Sequence, residues 1–147
     1  MTTRDEAIHE AIGALQRLAD LFNERRDEIA RGAGLSVRQW QILEEVATEH
    51  FMPSMFAARG AVTPAAVSKL VRGLLERDLI RASISTGDRR QRNFVLTAAG
   101  RKLLDGVRLT RQAAIDAVWA DLAEAELLRF AKFGQKLGNR LEAYLAK

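Results

Sequence analysis

Apolar residues recur at three- and four-residue steps through positions 4–31. Ala7, Ile8, Ala11, Ile12, Leu15, Leu18, Ala19, Leu21, Phe22 and Ile29 lie between charged positions, which predicts one long amphipathic helix. Gly32-Ala33-Gly34 stops it, since glycine is costly inside a helix and free to adopt a left-handed cap. Ser36 and Gln39 form an S-x-x-Q capping box that opens a second helix, expected through about His50, with Trp40, Leu43, Val46 and Ala47 as its stripe and Ile42 beside it. Pro53 fits the first turn of a short third helix ending near Gly60. Thr63-Pro64, a hydroxyl cap followed by proline, starts a fourth helix running to about Arg77. That helix should bury Val67, Val71 and Leu74, and in part Leu70 and Leu75, while Val62 is placed to staple against Val67 or its neighbours.

After Asp78 the period shortens. Residues 79–84 and 92–96 read as short strands on either side of a loop whose tip is Gly87-Asp88. Thr97 caps a further helix expected past Trp119, residues 121–123 interrupt it, and a last helix covers about 124–146. The fold class is therefore mainly α with a small β-hairpin wing: three short helices, the last two tightly linked, resemble a helix-turn-helix unit. The 147 residues read as a single domain, with a winged helix-turn-helix lobe at 35–100 and a helical dimerisation region at 4–31 and 101–146. The long terminal helices carry more apolar surface than the small central lobe can cover, so a two-fold homodimer is expected.

Composition narrows the chemistry. No apolar run approaches the roughly 18 residues of a membrane span, and the start of the chain turns polar and acidic rather than apolar, so a cytoplasmic protein is expected. The absence of cysteine excludes disulfides, thiolate zinc sites and cysteine-based redox sensing. His9 and His50 are the only imidazoles, and neither has a catalytic or metal-ligating pattern around it, so no metal, no cofactor and no enzymatic activity are expected.

Charge is unevenly distributed. Residues 63–102 hold nine Lys and Arg against three acids, so this stretch is +6 in a chain of +4 and the remainder is −2. A localised basic face suits the phosphates of double-stranded DNA. On the fourth helix, Pro64, Ala65, Ala66, Ser68, Lys69 and Arg72 lie away from the core stripe. The small residues at its start permit close approach to a groove, Ser68 and Lys69 can reach bases or phosphates, and Arg72 suits either role. Arg89, Arg90 and Arg92, in and beside the hairpin loop, suit a minor groove, and Asp88 is placed to orient Arg90 or a neighbouring guanidinium. The different-class alternative is a dimeric helical protein-interaction module without specific DNA binding, which does not require these cations.

The run Val62–Arg81, V-T-P-A-A-V-S-K-L-V-R-G-L-L-E-R-D-L-I-R, followed by D-R-R-Q-R-N-F-V-L-T-A-A-G from Asp88 to Gly100, resembles the MarR family of bacterial winged helix-turn-helix regulators. Asp88 and Arg90 match the acid and arginine of the family's wing motif, and Leu96, Thr97 and Gly100 match the L-T-x-x-G that follows. The resemblance implies a recognition helix carrying Ser68 and Lys69, a wing at 85–92, terminal helices that dimerise, and a pseudo-palindromic operator. It also implies a repressor released by a small effector, such as an aromatic carboxylate or an acyl-coenzyme A thioester. Phe22, Arg38, Trp40 and His50, near the first and second helices, are candidates for lining the effector cleft. Two positions depart from the pattern: Gly60 stands where relatives typically have a leucine closing the third helix, and Met52 where a hydroxyl cap is common, with Phe56 placed to compensate.

Overall fold

The computed structural model describes residues 3–60, 62–84 and 92–147, which form α1 (Arg4–Gly32), α2 (Val37–Ala47), α3 (Pro53–Arg59), α4 (Pro64–Glu76), β1 (Ile80–Ile84), β2 (Arg92–Leu96), α5 (Ala98–Trp119) and α6 (Glu124–Leu145). Two compact units are distinguished, 1–110 and 111–147. Helix starts follow their local chemistry. Thr3 and Ser36 form complete capping boxes with Glu6 and Gln39, and the Thr63 hydroxyl accepts from the Ala66 amide at 3.1 Å, with Pro64 opening α4. The α3 cap, Met52, offers no side-chain hydrogen bond, and its helix is held instead by Phe56, buried with its ring edge-on to Phe51 at 5.8 Å.

Three helices of the first unit end alike. Gly34, Glu49 and Asp78 have positive φ (69°, 61° and 57°). After each, the next amide reaches back to the third-last helical carbonyl: Leu35 to Ala30, His50 to Glu45, Leu79 to Leu74. This corrects the expected extent of α2. It stops at Ala47 because Glu49 turns left-handed, and His50 closes the cap rather than extending the helix. A left-handed glutamate carries a steric penalty that glycine lacks. Glu49→Gly is therefore expected to raise stability by roughly 0.5–1 kcal/mol, visible as a higher thermal midpoint. A lower midpoint would mean that the Glu49 side chain contributes more than its backbone strain costs.

The core of the first unit gathers Ile42 and Leu43 of α2, Val67, Val71 and Leu74 of α4, Ile80 of β1, and Leu104 and Val107 of α5, all almost completely buried. Leu70 is half-buried and Leu75 is exposed at the edge of this stripe. The strands pair antiparallel with Ile80 opposite Leu96 and Ile84 opposite Arg92. Phe94 of β2 meets Phe51 edge-on at 5.8 Å, tying the hairpin to the segment before α3.

At the other end of the hairpin, the Thr97 hydroxyl donates to the Asp78 carbonyl at 2.6 Å and accepts from the Gly100 amide at 2.9 Å, while the Thr97 amide donates to the Leu79 carbonyl. This lock brings the first turn of α5 directly onto the α4–β1 corner. Gly100 fits only because it lacks a Cβ, which would lie in hard overlap with the Leu79 carbonyl oxygen.

Candidate nucleic-acid interface

On α4 the core residues Val67, Val71 and Leu74 occupy one face, and the opposite face presents the residues expected to meet DNA. Pro64, Ala65, Ser68, Lys69 and Arg72 are exposed and Ala66 is half-buried. The helix thus begins with a small, uncharged tip and carries its cations one and two turns further along, so nothing bulky keeps the tip from a groove floor. No acid lies in its first turn. Arg81 on β1 is exposed as well. Asp88, Arg89 and Arg90 lie outside the described residues, so the Asp88–Arg90 pairing is outside them too; Arg92 is placed in β2 by its backbone.

Cations that the charge count could not tell apart have different uses. Arg77, part of the basic stretch, donates to the Gly34 carbonyl at 2.6 Å and to the Ala33 carbonyl at 3.5 Å, tying the end of α4 to the end of α1. Arg59 pairs with Glu45 and so fastens α3 to α2. Arg108 forks onto both oxygens of Glu44, at 3.2 and 2.6 Å, and Glu44 also accepts from the Trp40 indole at 3.3 Å. The Glu44 hydrogen bond, outweighing desolvation, raises the Arg108 pKa above its usual value. These arginines hold elements together, whereas Lys69 and Arg72 stand on an open face.

The four residues proposed for the effector cleft occupy distinct surroundings. Phe22 is half-buried with the Arg25 guanidinium 4.7 Å from its ring centre, Trp40 is a core residue bonded to Glu44, and both Arg38 and His50 are exposed. Arg38 is in the first turn of α2 and His50 beyond its end, at opposite ends of a helix about 16 Å long. A recess lined by Glu24, Glu28, Arg31 and Gly32 includes none of them, and its two glutamates suit an anionic effector poorly. Among the described residues no group of three or more His, Cys, Asp or Glu is arranged to hold a metal, and no helix is long and apolar enough to cross a membrane.

The tri-helical lobe α2–α4 followed by a two-stranded hairpin is a winged helix-turn-helix. Residues 33–91 match the model of the MarR family. That match spans about two fifths of the chain. A solved MarR family transcription regulator matches with a TM-score of 0.83 at 20% identity, covering 100% of this chain and 97% of that one. Staphylococcus aureus MarR in complex with salicylate and kanamycin matches with a TM-score of 0.76 at 21% identity, covering 93% of both chains. A MepR variant from S. aureus bound to an oligodeoxyribonucleotide matches with a TM-score of 0.61 at 19% identity, over 89% of this chain and 97% of that one. No curated protein sequence matches significantly.

Proposed function

We propose that the chain is a non-enzymatic transcription regulator that binds a pseudo-palindromic operator as a homodimer, represses from it, and leaves it when a small effector binds. The observation that carries this reading is the open face of α4, with a small uncharged tip ahead of Ser68, Lys69 and Arg72, in a chain whose sequence adds Arg89, Arg90 and Arg92 at the hairpin. Pro64, Ala65 and Ala66 would approach the groove, Ser68 and Lys69 would read or grip it, Arg72 would hold the backbone, and Arg89, Arg90 and Arg92 would lie along a flanking minor groove with Asp88 setting their aim. Two such units on one two-fold axis would enter successive major grooves roughly 34 Å apart.

Dimerisation is supported by apolar surface. Ile8, Ile12, Leu15, Leu18 and Leu21 form an exposed stripe on α1, and α6 buries none of its side chains while exposing Phe130, Phe133, Leu141 and Tyr144 on one face. Regions 4–31 and 101–146 are accordingly proposed as the dimerisation platform of a single-domain regulator acting in the cytoplasm.

For the effector we propose an aromatic carboxylate or an acyl-coenzyme A thioester, held near Phe22 and Trp40 with Arg38 or His50 at either end of α2. S. aureus MarR is in complex with salicylate, and CouR from Rhodococcus jostii, a similar structure with a TM-score of 0.68 at 24% identity, is bound to p-coumaroyl-CoA. An effector lowers operator affinity only to the extent that it binds the DNA-competent arrangement less well than the other. Footprinting of the DNA upstream of the chain's own gene tests the reading. Protection of a two-fold site, weakened by salicylate or p-coumaroyl-CoA, is expected; an interaction module without DNA specificity would leave no footprint.

A further inference from the structure

The guanidinium of Arg38 lies over Gly60. A Cβ built on Gly60 would come within 2.7 Å of Arg38 Nη1, 3.1 Å of Val62 Cγ2 and 3.3 Å of the Phe56 carbonyl oxygen. The arginine therefore reaches from the first turn of α2 across to the turn that joins α3 to α4, three residues ahead of the Thr63 cap. The glycine leaves the space it occupies.

The same guanidinium is uncommitted. Arg59 and Arg108 are paired with glutamates and Arg77 with carbonyls, but among the described residues no hydrogen bond or ion pair uses the donors of Arg38, and the residue is exposed. The first turns of α2 and α4 hold no acid that would neutralise it. Glu44 and Glu45, the carboxylates further along α2, pair with Arg108 and with Arg59, the second through Oε1. Among the described residues, a fork of five N–H groups thus lies over Gly60 without a hydrogen-bond partner, next to the tip that would enter the groove.

We infer that Arg38 is a phosphate-contacting residue of the DNA interface, positioned by the missing side chain at Gly60. A helix tip entering a major groove is bordered by the two phosphate backbones, and one of them passes the turn that leads into the tip. Arg38 meets that strand with a planar, bidentate-capable group, whereas Lys69 and Arg72 act from the α4 face itself. Arg38 so assigned fixes the depth and register of α4 and carries no base preference of its own. This rests on the DNA-binding reading above, and it moves Arg38 away from the effector.

The test is a set of equilibrium titrations of the full chain with its upstream duplex and with random duplex at several salt concentrations. Arg38→Gln is expected to weaken both by the same factor, roughly three- to tenfold at moderate salt, and to flatten the log K against log salt slope by about 1 per protomer. Arg38→Lys should restore the slope with part of the affinity. Gly60→Ala keeps every charge and presses hardest on the flexible end of Arg38, with tight contacts to Val62 Cγ2 and the Phe56 carbonyl, so it should weaken binding with a flattened salt slope while lowering the thermal midpoint only slightly. If Arg38→Gln binds with unchanged affinity and slope while Lys69→Gln loses both, the inference falls and the DNA-binding reading stands. If Arg38→Gln instead abolishes release by salicylate and leaves the slope intact, Arg38 belongs to the effector site and the inference again falls. Absence of salt-dependent binding by the unmodified chain overturns both.

Discussion

Gly100→Ala is expected to remove about 3 kcal/mol or more of stability, a large part of the roughly 5–15 kcal/mol available to a domain of this kind. In an open helix the same change gains up to about 1 kcal/mol, so the sign is diagnostic. The difference lies in the Leu79 carbonyl, against which the new methyl would sit at an impossible 1.9 Å. That carbonyl cannot retreat alone. It accepts the Thr97 amide, and its chain is held on either side by the Thr97 hydroxyl on Asp78 and the burial of Leu79 and Ile80. α5 must lift from the α4–β1 corner, and the hairpin loses the anchor that aims it. Gly106→Ala in the same helix has nothing within 4 Å of the new methyl and should be neutral or stabilising. Chemical denaturation of both variants checks the pair; a Gly100→Ala midpoint equal to that of Gly106→Ala would refute the close approach.

The second large effect concerns assembly. Phe133→Glu with Leu141→Glu places two charges on the exposed face of α6, where the side chains are 59% and 48% accessible in the protomer. Because neither is part of the protomer core, helix content should persist while the dimer dissociates. Losing the second half-site contact should then lower operator affinity by on the order of a hundredfold or more. Sedimentation read beside circular dichroism and DNA titration distinguishes the outcomes. A variant that remains dimeric would place the interface elsewhere, and one that becomes monomeric with full operator affinity would show that two lobes are not required.

Much of this molecule could be read from local pattern. Ser36 with Gln39, Thr63 with Pro64, and Thr97 each start the helix they were expected to start, because a cap is decided by residues three positions apart. The α4 stripe of Val67, Val71 and Leu74 and the two strands were likewise legible. Features set by the third dimension were not. The end of α2 depends on a left-handed Glu49, with no glycine to mark it. Arg77 entered only the charge count of residues 63–102, and its partner is a carbonyl 43 residues away. Glu44 and Arg108 are 64 positions apart, and no periodicity connects them. Gly60 stood out as a departure, but the Arg38 guanidinium that lies over it comes from a different helix, the first turn of α2. The effector candidates were chosen by residue type near two helices, and α2 lies between Arg38 and His50.

Sequence-specific operator binding is the central claim, and its most direct test is a titration of the chain against its own upstream duplex and a scrambled duplex at about 50 and 200 mM salt. A steep fall in affinity with salt on both duplexes is expected, with a preference for the upstream sequence of about a thousandfold or more. Weak, salt-insensitive association, or equal affinity for the two duplexes, would contradict it.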